Sequence, residues 1–346
     1  MSKFLLVVIL IFSLAIPASA AELTAPTVPQ SGREVMPEKT DSFGDGLLKL
    51  LENALGQLQP DLKEASRVSL GVVAAVMMVS LLQSFSGSVK TAAEFAGTTA
   101  IAAGLLLSAN SLIRLAAGTV TEISEYGKLL LPVMTAAMAA QGGVSSSAAL
   151  YTGTALFDAV LSSLISRLLV PMVYLFLALA AANSAMGEDL LKQMRNVAKG
   201  LISWCLKILL TVFTTYIAIT GVVSGTTDAA ALKATKVTIS SVVPVVGGIL
   251  SDASEAVLVS AGLMKNAAGI YGILAVLAVF LSPFLKIGVQ YLILKFTAAL
   301  CALFGAKRLT ELIGDFSTAM GLLLAMTGSE CLLLLISTVC FLKGVG

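Results

Sequence analysis

Ser317–Leu342 reads STAMGLLLAMTGSECLLLLISTVCFL, with Glu330 its single charged residue. This is longer than the roughly 20 apolar residues that an α-helix needs to cross a bilayer. Further apolar runs at 68–85, 92–113, 147–166, 168–186, 201–223, 266–284 and 286–304 approach or reach that length. The chain of 346 residues is 57% hydrophobic and only 12% charged. Soluble domains carry about 25% charged residues, so an ordinary soluble core is excluded. The sequence predicts an all-α, polytopic membrane protein with about seven to nine spans.

Residues 1–20 have the form of a secretory signal: Lys3, an apolar run over Phe4–Ile16, then the small-residue site Ala18-Ser19-Ala20. The expected organisation is a signal peptide over 1–20, an exported polar lead over 21–65 and a membrane domain over 66–346. Residues 21–45 contain Pro26, Pro29 and Pro37 and read as a disordered tail. Over 46–65, Leu47, Leu48, Leu51, Leu55 and Leu58 predict an amphipathic interfacial helix broken at Pro60.

Several segments interrupt the oil. The run 129–141 is too short to span alone and reads as half of a broken helix ending at Gly142-Gly143. The charged stretches 187–200 and 305–316 read as amphipathic connectors, the first placed in the cytoplasm by Lys192, Arg195 and Lys199. The most polar interruption is Val243–Gly272, VPVVGGILSDASEAVLVSAGLMKNAAGIYG. Its Pro244, Gly247, Gly248, Asp252, Glu255, Lys265 and Asn266 are candidates for assembly or for a conduit. Irregular backbone at membrane depth is tolerated only inside protein or beside water. Asp252 and Glu255 also fit a capping box, which needs no function beyond starting a helix.

Pro132, Pro171, Pro244 and Pro283 form two pairs at one offset, since 244 − 132 and 283 − 171 both equal 112. The alternatives are coincidence and a duplication relating 129–224 to 241–342. Paired repeats with broken helices are a sequence pointer to a transport-type site.

Glu94, Asp158, Lys295 and Glu330 lie within the expected spans. Charges there cost about 2.5–3.5 kcal/mol on insertion scales, so they either face a bundle interior or snorkel to an interface. Ala92, Ala96, Ala100, Gly104 and Ser108 recur every fourth residue and read as a helix-packing stripe, within the chain or between two copies.

The chain has no histidine, which removes His-based catalysis and ligation. Cys205, Cys301, Cys331 and Cys340 form no C-x-x-C pair. Phosphate-loop, nucleophile-elbow and zincin motifs are missing, so no enzyme activity, cofactor or metal is expected. The net charge of +2 and the lack of a basic patch argue against nucleic acid.

Lys236, VPVVGGILSDASEAVL (243–258), MKNAAGIYG (264–272), LSPFLK (281–286) and AKRL (306–309) resemble the stage III sporulation protein AE family. The resemblance implies an integral membrane subunit of a secretion-like channel complex, in the mother-cell membrane around the engulfed forespore. It also implies other membrane subunits and a separate ATPase from the same sporulation operon as partners, besides membrane lipid. The competing expectation from the residues alone is a stand-alone secondary transporter or permease.

Overall fold

Residues 26–37, 42–82, 88–140, 144–219 and 267–343 are described by the structure, a computed structural model. Among them there is no strand. The helices are α1 (Gln30–Arg33), α2 (Phe43–Gly56), α3 (Leu58–Leu82), α4 (Ser88–Ala140), α5 (Val144–Leu164), α6 (Val170–Met186), α7 (Asp189–Ile219), α8 (Ala267–Ala302) and α9 (Lys307–Lys343). Six stretches in the described residues are long and apolar enough to cross a membrane. The fold is thus the expected all-α polytopic one.

The prolines do not break helices as the sequence reading expects. Pro132 lies inside α4, which runs unbroken for 53 residues, so 92–113 and 129–140 belong to one helix. Pro283 lies inside α8, which joins 266–284 to 286–304 from Ala267 onward. Between α5 and α6 the chain passes through a π-helical turn, Ile165–Leu169, without reversing. Proline lacks an N–H and crowds the carbonyl four residues back, which for Pro171 is that of Arg167. The wider π turn around Arg167 makes room for it. The expected connectors 187–200 and 305–316 are mostly the opening turns of α7 and α9 rather than separate pieces.

Two tight turns reverse the chain. Gly187, with φ of 76°, ends α6, and Gly305, with φ of 72°, follows α8. Both are left-handed positions that glycine adopts without Cβ strain. Each turn follows a proline-containing rod and leads into a long helix, α7 or α9. That shared order fits the repeat reading; most of its second first-segment, 241–266, lies outside the described residues.

α9 is the central helix. It packs against α4, α5, α6, α7 and α8, and every residue from Ala319 to Leu335 is buried. α8 is buried continuously over Gly272–Phe280, beneath α1, α2, α4 and α9. The lead therefore differs from expectation over 26–37 and 42–56. Val28, Val35 and Phe43 are buried, and Asn53 Nδ2 donates to the Val35 carbonyl at 3.1 Å. Apolar residues spaced between the prolines give this segment a surface to bury, which its overall polarity conceals. The break falls at Gln57, and Pro60 sits in the first turn of α3, where its missing N–H costs little. On α2 the inward face is Phe43, Gly46, Leu50 and Ala54, while Leu48, Leu51 and Leu55 point outward.

The stripe on α4 also differs. Ala92, Ala96, Ala100 and Gly104 are exposed and Ser108 is half-buried, so no helix among the described residues packs closely on this row. A helix turns once per 3.6 residues, so each step of four drifts by about 40° and five such residues wind nearly halfway round. The buried row instead mixes steps of three and four, through Thr98, Ala102, Leu105, Ala109, Ile113, Ala116 and Val120.

Candidate functional site

The polar interior of the bundle lies where α4, α5 and α9 meet. Thr154 and Asp158 are one turn apart on α5, and Glu330 and Ser337 are two turns apart on α9. Such spacings place each pair on one helix face. Thr154 Oγ1 donates to Ser337 Oγ at 2.9 Å, and Ser337 Oγ donates to the Leu333 carbonyl at 2.8 Å. From α4, Ser124 Oγ donates to Asp158 Oδ2 at 2.8 Å. Gly127, nearly one turn beyond Ser124, lets α4 close on both neighbours. A Cβ there would stand 3.1 Å from Leu334 Cδ1 and 3.7 Å from Asp158 Oδ1.

Asp158 and Glu330 lie near each other across the same α5–α9 contact that joins Thr154 to Ser337, close enough for their carboxyl groups to interact. Asp158 is 2% exposed and Glu330 is 0% exposed. Asp158 Oδ1 and both oxygens of Glu330 have no hydrogen-bond donor among the described residues. Lys128, exposed on α4, is a cation whose field reaches both groups. Buried polar oxygens without donors are rare in folded proteins, and a buried carboxylate without a partner costs several kcal/mol. The pair is therefore the chemically least ordinary place in the bundle.

A second polar contact fastens the end of the bundle where the two turns lie. Arg195 of α7 pairs with Asp315 of α9, both largely buried. Ser184 Oγ donates to the Arg308 carbonyl at 3.0 Å beside them. On the opposite flank of α8, Lys286 pairs with Asp61 of α3 at 3.3 Å, and Ser69 meets Thr297. Ser31 of α1 donates to Glu122 of α4.

Of the intramembrane candidates, the structure joins Asp158 and Glu330 and leaves the other two apart. Lys295 is exposed on α8, and its Nζ donates to Tyr291 Oη at 3.2 Å and lies 5.4 Å from that ring's centroid. Glu94 is half-buried near the start of α4. Pro244, Gly247, Gly248, Asp252, Glu255, Lys265 and Asn266 lie outside the described residues. Sequence reading did not find Ser124, Gly127, Thr154 or Ser337. A serine or threonine in an alanine-rich helix carries no signal of its partner, and only the i, i+4 spacing of Thr154 to Asp158 offered one. Among the described residues no three Cys, Asp or Glu side chains converge as a metal site would require.

The family model for stage III sporulation protein AE matches residues 34–344. The chain belongs to that family. The match contains all of α2–α9, and so both members of the carboxyl pair. A curated relative, stage III sporulation protein AE of Bacillus subtilis (strain 168), is 23% identical over 254 residues. That alignment takes in 73% of this chain and 56% of the relative, so the chain spans little more than half of that protein's length. No solved structure matches the chain. The family is a sporulation family, and six helices among the described residues have the length and composition to cross a membrane, which suits a membrane location.

Proposed function

We propose that this stage III sporulation AE protein is a membrane platform or channel subunit of a sporulation-specific, secretion-like complex that links mother cell and forespore. It resides in the mother-cell membrane around the forespore and assembles with the other membrane subunits and the ATPase encoded with it. The observation that carries this reading is the family match over 34–344, nearly the whole helical bundle. The missing phosphate loop supports it, because energy from ATP must then come from a separate subunit. The chain acts here without chemistry of its own, as a packed helical body.

The test is deletion in the native host together with affinity purification of the tagged full chain from sporulating cells. The expected result is normal vegetative growth, arrest of forespore development, and co-purification of the operon's membrane and ATPase subunits. Vegetative expression with undisturbed sporulation would overturn it.

The second reading, a stand-alone secondary transporter, is favoured by the buried Asp158–Glu330 pair, since buried carboxylates mark ion and proton pathways in transporters. A chain that purifies alone and exchanges a solute in vesicles supports this reading against the first.

A further inference from the structure

We infer that Asp158 and Glu330 form a proton-binding site inside the helical bundle, in which the two carboxyl groups share one proton. Three oxygens of the pair have no donor among the described residues, while the fourth, Asp158 Oδ2, takes the Ser124 hydroxyl. Ionised carboxylates only accept hydrogen bonds, so two facing carboxylates cannot satisfy each other. One proton changes this. The carboxyl that holds it becomes a donor, and the facing carboxylate becomes the acceptor of a short O–H···O⁻ bond. Two like charges in one buried space cannot both be retained, as paired acids in other proteins show.

A metal ion suits the place less well. Cations such as calcium and sodium take many oxygen ligands, and no third acidic side chain joins the pair among the described residues. Titratable or charged groups around the pair are few. α4 contributes Lys128, whose charge reaches both carboxyls, and Tyr126, which is buried and sits near Tyr271 of α8. α9 contributes the buried thiol of Cys331 beside Glu330. Among the described residues no charged group of α6, α7 or α8 bears on the pair. Ser124 fixes the orientation of Asp158 through Oδ2 and leaves Oδ1 without a donor among the described residues. The site therefore binds and releases one proton at the α5–α9 contact. This inference stands on the bundle's geometry and is independent of the sporulation complex.

The test uses the full chain in native membranes and a hydrophobic carbodiimide, which modifies carboxyl groups in their protonated form. Peptide mass spectrometry locates the adduct. The expected result is an adduct on Asp158 or Glu330 that disappears as the buffer is taken from mildly acidic to strongly alkaline, at constant sodium. Asp158→Asn and Glu330→Gln place a permanent N–H where the shared proton would be. Each is expected to accumulate and melt like the wild type, and Asp158→Asn/Glu330→Gln to lose the adduct entirely. Three results would overturn the inference. One is a folded chain with no adduct on either residue at any pH. Another is an adduct suppressed by sodium at constant pH, the sign of a cation site. The third is collapse of both amide variants, the sign that the pair must be ionised.

Discussion

α9 and α3 are almost equally apolar, with mean hydropathies of 2.0 and 1.9 over their richest windows. Yet 94% of that window is buried in α9 and 17% in α3. Oiliness thus says nothing of depth in this bundle, because lipid tails accept leucine as readily as a protein interior does. The residues that differ are the polar ones. α9 buries Thr327, Ser329, Glu330, Ser337 and Thr338, while α3 turns Leu62, Leu70, Met77, Met78 and Leu81 outward. A helix that faces lipid has no use for a buried hydroxyl or carboxyl; a helix ringed by five others can pair them.

The sharpest way to break this contrast is at the fastening of α9 to α7. Arg195→Ala leaves Asp315 buried and unpaired, with an expected loss of about 3–5 kcal/mol and a clearly lower thermal midpoint in detergent. Arg195→Ala/Asp315→Ala is expected to lose less than either single variant. An unchanged midpoint for Arg195→Ala would show that the pair does not hold the bundle.

Leucines come next. Leu333→Ala in α9 is expected to cost about 2–5 kcal/mol, by leaving a cavity among packed neighbours. Leu70→Ala in α3 is expected to stay within about 0.5 kcal/mol, as outward-facing positions do. Equal midpoint shifts for the two would erase the contrast between the helices.

Glycines separate the inner and outer faces on a smaller scale. A Cβ on Gly153 of α5 would overlap the ring of Tyr216 on α7, so Gly153→Ala is expected to cost about 1–3 kcal/mol through repacking. Gly104 of α4 has open space around it, and Gly104→Ala should leave the midpoint unchanged or raise it by about 0.5–1 kcal/mol of stability through helix propensity. A loss at Gly104 matching that at Gly153 would place a partner helix on the outer row. Ser124→Ala is expected to cost about 1 kcal/mol through loss of the hydrogen bond to Asp158, read in the same melting assay.

The fold class was legible because apolar runs of spanning length leave few alternatives. Asp158 and Glu330 were legible as odd residues, since a carboxyl in an oily run is conspicuous. Their meeting was not, because it depends on how two helices far apart in the chain are brought side by side. The continuity of α4 through Pro132 and of α8 through Pro283 was hidden for a related reason. A lone proline reads as a break, but neighbouring helices hold the segment straight enough to continue. The folded lead was hidden by averaging: three well-placed residues, Val28, Val35 and Phe43, anchor a segment whose overall composition is polar.

The 53 residues of α4 have a consequence for how the protein sits in its lipid. At 1.5 Å per residue the helix is about 80 Å long. A bilayer with its headgroups is only about 40–45 Å thick. Even at a steep tilt of about 40°, the upper end of the usual range, such a rod still stands about 60 Å tall. A straight α4 that crosses the bilayer then extends roughly 15 Å or more past the headgroups, as a helical mast beyond the membrane surface.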